Sequence, residues 1–286
     1  MRLGLKQNSR LAINAARPYQ RPMPIAQLDR TVFRLSNKDG GEGVAAWLDG
    51  LTTNSLTAPI NFAALLTPQG KIIADFFVTH DGDTLRLDTP VKFADALFKR
   101  LRMYRLRAPI EIETTELNVY AIWNGEGDEG HADPRLPALG RRLITDAYLG
   151  GSLDEDGDYN AHRLSLGVVD SAYDFETATT FPADANMDLM QGVDFKKGCF
   201  IGQEVVSRMK RMTTVKKRMR GIVLDDAAKT GDKIKAGERV IGDVLHAQGD
   251  MGIAMIRLDR LASAEVSPTL NGAPVEIMDS VAGNDA

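Results

Sequence analysis

After Arg220 the chain breaks into short apolar runs, Ile222 to Leu224, Arg239 to Leu245, Gly252 to Ile256 and Pro274 to Met278, punctuated by Gly231, Gly237, Gly249 and Gly272. Runs this short, separated by turn-forming glycines, cannot make stable helices. Several of them at this spacing predict a small β-barrel or sandwich over residues 216–280. The preceding residues, 25–215, mix both periodicities. Thr31 to Leu35, Asn61 to Leu66, Ile72 to Thr79, Leu85 to Asp88 and parts of Ile110 to Trp123 read as strands. Val44 to Leu51 and Pro90 to Arg102 place apolar residues on one helical face. Turns are expected at Lys38 to Gly43 and at Thr67-Pro68-Gln69-Gly70, and a loop from Asn124 to Pro137. Strands and helices follow no βαβ alternation, so the fold class is α+β.

The chain has 286 residues, 43% hydrophobic and 26% charged, with a formal net charge of −4. That balance excludes collagen-like, coiled-coil and wholly disordered chains, and the length predicts two domains. No apolar run approaches the ~18 residues of a membrane span, so no membrane partner is expected. The single cysteine, Cys199, allows no internal disulfide, zinc finger or four-cysteine cluster site, and favours a reducing compartment. Residues 1–24 read as a basic tail, with Arg2, Lys6, Arg10, Arg17 and Arg21 and no acid before Asp29. Such a start also resembles an organelle transit peptide. Cytoplasm is the first expectation and the mitochondrial matrix the alternative.

Several familiar motifs fail. Gly41-x-Gly43-x-x-Ala46 imitates a dinucleotide fingerprint, but the following strand runs into Thr67-Pro68 without the acid that would hold a ribose. Asp154-x-Asp156-x-Asp158 opens like a calcium loop, yet Tyr159 and Ser165 stand where Gly and Glu are needed, which leaves an acidic loop. His80, His131, His162 and His246 have no ligand spacing, and no GxSxG elbow or P-loop occurs.

What remains is Lys196-Lys197-Gly198-Cys199-Phe200-Ile201-Gly202-Gln203-Glu204. Val205, Met209 and Met212 share a helical face, so a helix is expected to begin near Gly202, its dipole complemented by Glu204 at one end and by Arg208, Lys210 and Arg211 at the other. A thiol before a helix N-terminus and beside two lysines is expected to be the better nucleophile or ligand; a buried structural cysteine is the competing reading. From Val205 to Leu224 the chain carries seven basic residues (Arg208, Lys210, Arg211, Lys216, Lys217, Arg218, Arg220) and no acid. Such a patch could hold a polyanionic tail, contact RNA phosphates, dock an acidic partner, or be a solvated face.

The run KGCFIGQE resembles the signature of the YgfZ-type folate-binding proteins, whose mitochondrial relatives assist iron–sulfur cluster assembly. Lys197, Gly198, Cys199, Phe200, Gly202, Gln203 and Glu204 match it without a gap. Leu48-x-Gly50-Leu51-Thr52-Thr53-Asn54, Thr67-Pro68-Gln69-Gly70-Lys71 with Asp75, and Gly192-Val193-x-Phe195 match further family stretches. These proteins are similar to the T-protein of the glycine cleavage system, a folate-dependent aminomethyltransferase. The T-protein has Arg or Lys at the position of Gln203 and lacks the cysteine.

The resemblance implies two interlocked α+β domains within 25–215 around a central folate channel, plus a C-terminal barrel. It implies an accessory protein that binds tetrahydrofolate or a derivative, holds no permanent metal, and acts on iron–sulfur client enzymes or assembly proteins. Cys199 then carries the direct role as a transient sulfur, persulfide or cluster ligand, with Lys197 favouring its thiolate. Tyr159, Arg163, Lys197, Gly198, Phe200, Gly202, Gln203, Glu204 and Arg208 are assigned to the cofactor. Ser165 stands where relatives carry a glutamate for the pterin. Two alternatives remain: an aminomethyltransferase with Asp75 as the polar catalytic group, and a tRNA-associated protein using the basic patch.

Overall fold

The computed structural model describes residues 24–39, 43–106, 108–125, 127–149, 158–212 and 215–279. The basic tail before Pro24, part of the 38–43 turn, Gly41 of the rejected fingerprint, and Asp154 and Asp156 of the acidic loop lie outside them.

The first part of the chain runs β1 (Ile25–Leu28), β2 (Arg30–Asn37), α1 (Val44–Asp49), β3 (Ile60–Leu66), β4 (Ile72–Asp81), β5 (Thr84–Pro90), α2 (Val91–Tyr104), β6 (Ile110–Thr114), β7 (Asn118–Ile122), β8 (His131–Ala132) and β9 (Arg141–Thr145). Then come α3 (Asp158–Ser165), α4 (Ser171–Asp174) and α5 (Gln203–Met212). The barrel comprises β10 (Lys217–Leu224), β11 (Lys233–Ala236), β12 (Arg239–Gln248), β13 (Met251–Arg257), α6 (Leu258–Leu261), β14 (Pro268–Leu270) and β15 (Ala273–Ile277).

A five-stranded antiparallel sheet, β3-β4-β5-β2-β6, is the frame of the first part. Because strand side chains alternate, each residue type sorts to one face. Ala74, Phe76 and Val78 of β4 with Leu85 and Leu87 of β5 pack under α1 and α2, whose Phe93, Leu97 and Leu101 recur every helical turn. Each fully buried Leu or Phe there contributes about 1.5–3 kcal/mol. The opposite face carries Phe62, Ala64, Leu66 and Phe77, which meet β1 and β7, Tyr159 and Leu164 of α3, and Met187, Met190, Val193 and Phe200 of the 181–200 segment. Interleaved on that second face stand Asp75, Thr79 and Asp88, all buried.

A second sheet, β1-β7-β9-β8, lies against this face. The C-terminal strands close as β10-β13-β12-β11-β14-β15, with Ile222, Ile234, Ile241, Val244, Ile256 and Leu270 inside. Closure removes the unpaired edges an open sheet would expose. The barrel docks through Met219 and Ile253 on its outer surface, and Gly221 approaches Gly167 so closely that a Cβ there would lie 2.8 Å from the Gly167 Cα. The expected α+β class and barrel are both present. β11 and β14, four and three residues long, carried no legible apolar run, and Asp158–Ser165 is helix where an acidic loop was expected to continue.

Candidate functional site

Three separated stretches meet around residues 192–205. Lys197 crosses to the α1–β3 connection, where its ammonium donates to the carbonyl oxygens of Asp49 (2.6 Å), Thr52 (2.9 Å) and Asn54 (3.0 Å) and lies 3.3 Å from the Asp49 carboxylate. Burial lowers its pKa, and Asp49 opposes the shift. The Thr53 hydroxyl donates to the Gly192 carbonyl (2.7 Å), the Asn54 amide to those of Phe62 (2.9 Å) and Gln191 (2.6 Å), and the Ser55 hydroxyl to Asp194 (2.6 Å). Gly202, at φ +81°, lies against the β3–β4 hairpin, where a Cβ would stand 2.7 Å from the Thr67 carbonyl oxygen. Gly70, at φ +79°, closes that hairpin against Val205. The family stretches are thus one structural unit.

Within this clamp Cys199 is exposed. Phe200, next to it, is buried in the core, while a Cβ on Gly198 would meet nothing within 4 Å. The buried-cysteine reading therefore fails, and the Lys197 ammonium is engaged by backbone carbonyls. Gln203 donates to the Gly198 carbonyl at 3.3 Å, and Glu204 pairs with Arg208 at 2.9 Å along the exposed face of α5. Beside them runs an open groove of about 590 Å³ lined by Phe195, Gln203, Glu204, Ser207, Lys210 and Arg211. The Lys210 ammonium sits 3.8 Å from the Phe195 ring centroid.

Asp75, Tyr159 and Arg163 lie elsewhere. Asp75 is buried and accepts from the Ser171 hydroxyl, and burial together with nearby Asp170 raises its pKa. Tyr159 packs on Trp123 with ring centroids 5.5 Å apart, accepts from Arg135 at 3.2 Å, and has its pKa raised by burial. Arg163 is 1% exposed; Asn160 (2.7 Å), the Val168 carbonyl (3.1 Å) and both Asp174 oxygens (2.6 and 3.2 Å) take its guanidinium. It holds α3 to α4 and has no face toward a ligand, which corrects its assignment to the cofactor. Ser165 is exposed, its hydroxyl donating to the His162 carbonyl.

The cofactor residues therefore form two groups. A cavity of about 120 Å³ is lined by Arg30, Lys92, Tyr159, Asp170 and Tyr173 among others, and it shares no residue with the α5 groove. Pockets for drug-sized ligands measure roughly 300–1,000 Å³. Of the two, only the α5 groove falls in that range; the residues assigned to the cofactor are divided between them, and no step is routed through a folate.

No local sequence signal points to what fills the centre. Arg30, Arg135 and Arg142 surround the Phe77 ring at 5.3, 5.0 and 3.7 Å. Asp88 binds both Arg30 and Arg142, while Arg135 joins Asp133 (2.9 Å) and Asp170 (3.3 Å). Burial alone would raise the Asp133 carboxyl, but Arg135 and Arg142 hold it below the ordinary range.

The basic stretch also needs correction. Arg218 and Arg220 are buried, Arg218 pairing with both Asp188 oxygens at 2.8 Å, and Lys217 lies 3.2 Å from Asp184. Arg208 is engaged by Glu204. Of the seven basic residues, Arg218 and Arg220 are thus buried and Lys217 and Arg208 paired, which leaves Lys210, Arg211 and Lys216 as the exposed remainder.

Residues 210–279 match the family model described as the CAF17 C-terminal beta-barrel domain. The chain is 28% identical to the human mitochondrial iron-sulfur cluster assembly factor IBA57 over 298 residues, covering 88% of this chain and 82% of that one. The mitochondrial IBA57 homologues of Neurospora crassa and Mycosarcoma maydis are 28% and 29% identical; the matches cover 64% and 66% of this chain but only 50% and 54% of theirs. The chain thus spans about half the length of those two fungal relatives. Among solved structures, the glycine cleavage system aminomethyltransferase T of Bartonella henselae superposes with a TM-score of 0.66 at 11% identity, covering 89% of this chain and 84% of the other. At that identity the likeness concerns the fold alone.

Proposed function

We propose that this chain, which is similar to the mitochondrial IBA57 homologues and shares the fold of the glycine cleavage aminomethyltransferase T, is an accessory factor of iron–sulfur cluster assembly that works through Cys199. The observation carrying this reading is the exposed thiol on a loop whose neighbours on either side are fixed, Lys197 by three carbonyls and Phe200 by the core. One thiol supplies one ligand. Among the described residues no group of three His, Cys, Asp or Glu side chains could hold a metal ion. A cluster bound here as cargo would take its other ligands from a partner assembly protein, with the Cys199 proton released on binding. The α5 groove adjoins the thiol through the Gln203–Gly198 hydrogen bond and offers that partner a seat.

The relatives' names carry the word mitochondrial, which supports the matrix alternative and gives the cytoplasmic expectation no backing. Complementation tests the reading: in cells lacking the protein, Cys199→Ser should accumulate at the wild-type level yet leave cluster-dependent enzymes at low activity. Full restoration by the variant would remove the thiol from the function.

A further inference from the structure

On the far side of the arginine cluster from Tyr159, a cavity of about 230 Å³ opens between the two sheets, walled by Ile60, Leu143 and Ile144. Thr79, Asp88 and Arg142 also line it, and they are 8%, 0% and 2% exposed. Each brings polar atoms with no hydrogen-bond partner: the Thr79 hydroxyl, Asp88 Oδ2, and Nε and Nη1 of Arg142. Leaving buried donors and acceptors unmet is costly, so such a set in one cavity calls for a ligand. The placement follows from register. Phe77 pairs with Asp88 and Thr79 with Arg86 across β4 and β5, so Thr79 and Asp88 are diagonal neighbours on one face, and β9 brings Arg142 over them.

We propose that this cavity binds a small zwitterion of the α-amino-acid class, its carboxylate on Arg142 and Thr79 and its ammonium on Asp88 Oδ2. The charges already present are matched: Arg30, Arg135 and Arg142 face Asp88, Asp133 and Asp170, with Arg142 Nη1 3.8 Å from Asp133, and Arg86 is held by Asp81 at 2.8 Å. A simple anion would meet Arg142 and leave Asp88 Oδ2 without a donor; a simple cation would do the reverse. A zwitterion satisfies both through charge-assisted bonds and adds no net charge to a buried cluster. The volume equals that of about seven or eight waters at ~30 Å³ each, which suits a short aliphatic side chain against the apolar wall.

Calorimetry and thermal unfolding of the whole protein with glycine, alanine and valine test this, with acetate and methylammonium as half-ligands. Alanine is expected to bind and to raise Tm by mass action, with each half-ligand at least ~tenfold weaker. Thr79→Val keeps the side-chain shape and the ion pairs, and should weaken alanine several-fold without lowering the Tm of the free protein. Acetate binding as tightly as alanine would overturn the zwitterion assignment. Absence of heat and thermal shift at millimolar amino acid would overturn the site, as would wild-type affinity in both Thr79→Val and Asp88→Asn. Displacement of alanine by tetrahydrofolate would also overturn it, by making the cavity part of a larger folate site.

Discussion

The Lys197 ammonium donates at 2.6 Å to the carbonyl oxygen of Asp49, 148 residues earlier in the chain. Two further carbonyls, of Thr52 and Asn54, converge on the same nitrogen. A charge so placed joins the strand-leading loop to the cysteine loop.

Lys197→Met should therefore lower stability by about 3 kcal/mol, since buried acceptors lose a charged donor worth roughly 1.5–3 kcal/mol. Denaturant midpoints check this. Lys197→Arg, whose planar head cannot occupy a seat built for three converging carbonyls, should recover only part of the loss.

Two glycines of one motif should behave oppositely. Gly202→Ala places a Cβ 2.7 Å from the Thr67 carbonyl oxygen at φ +81° and should cost about 2–4 kcal/mol. Gly198→Ala meets open space and should stay within about 0.5 kcal/mol of wild type. Equal melting temperatures for the two variants would contradict the packing described.

Asp75 sets a pH signature. Its folded-state pKa is raised by burial and by Asp170, so the folded protein holds this proton to higher pH than the unfolded chain. That part of the stability is present below the ordinary carboxylate pKa and is lost as pH rises through the raised value. Asp75→Asn, which still accepts from Ser171, should be more stable than wild type at pH 7, with the difference vanishing below about pH 4. A variant less stable than wild type at pH 7 would show that the ionised carboxylate is what the site wants.

In the barrel, Arg218→Met should cost about 3 kcal/mol or more, because it leaves Asp188 without its two-pronged partner. Lys216→Glu, on an exposed position two residues earlier, should change stability by no more than about 0.5 kcal/mol. Urea titrations of both distinguish a strand arginine from a surface charge.

Long apolar alternation made the main sheet readable: β3, β4 and β5 emerge within a residue or two of their observed bounds. The helix start expected near Gly202 is observed at Gln203, because glycine spacing and a helix start are local signals. The central arginines were illegible. Arg30 and Arg142 look like surface residues in any window, and only pairing across 54 residues for Arg142 and Asp88, or 58 for Arg30 and Asp88, makes their burial affordable. Arg218 and Arg220 misled because they sit in a strand buried from Arg218 to Ile222, with Arg218 paired to Asp188 thirty residues away. α3 was missed because Tyr159, Asn160, His162 and Arg163 are fixed by polar and aromatic contacts that form no apolar stripe.

Cys199 stands in solvent while its neighbours are anchored. Chemistry at that sulfur is thereby uncoupled from folding, unlike a zinc finger, whose metal is what folds it. Alkylation, oxidation or loading of the thiol should leave the melting temperature where it was, so modification at that sulfur does not weaken the structure that carries it.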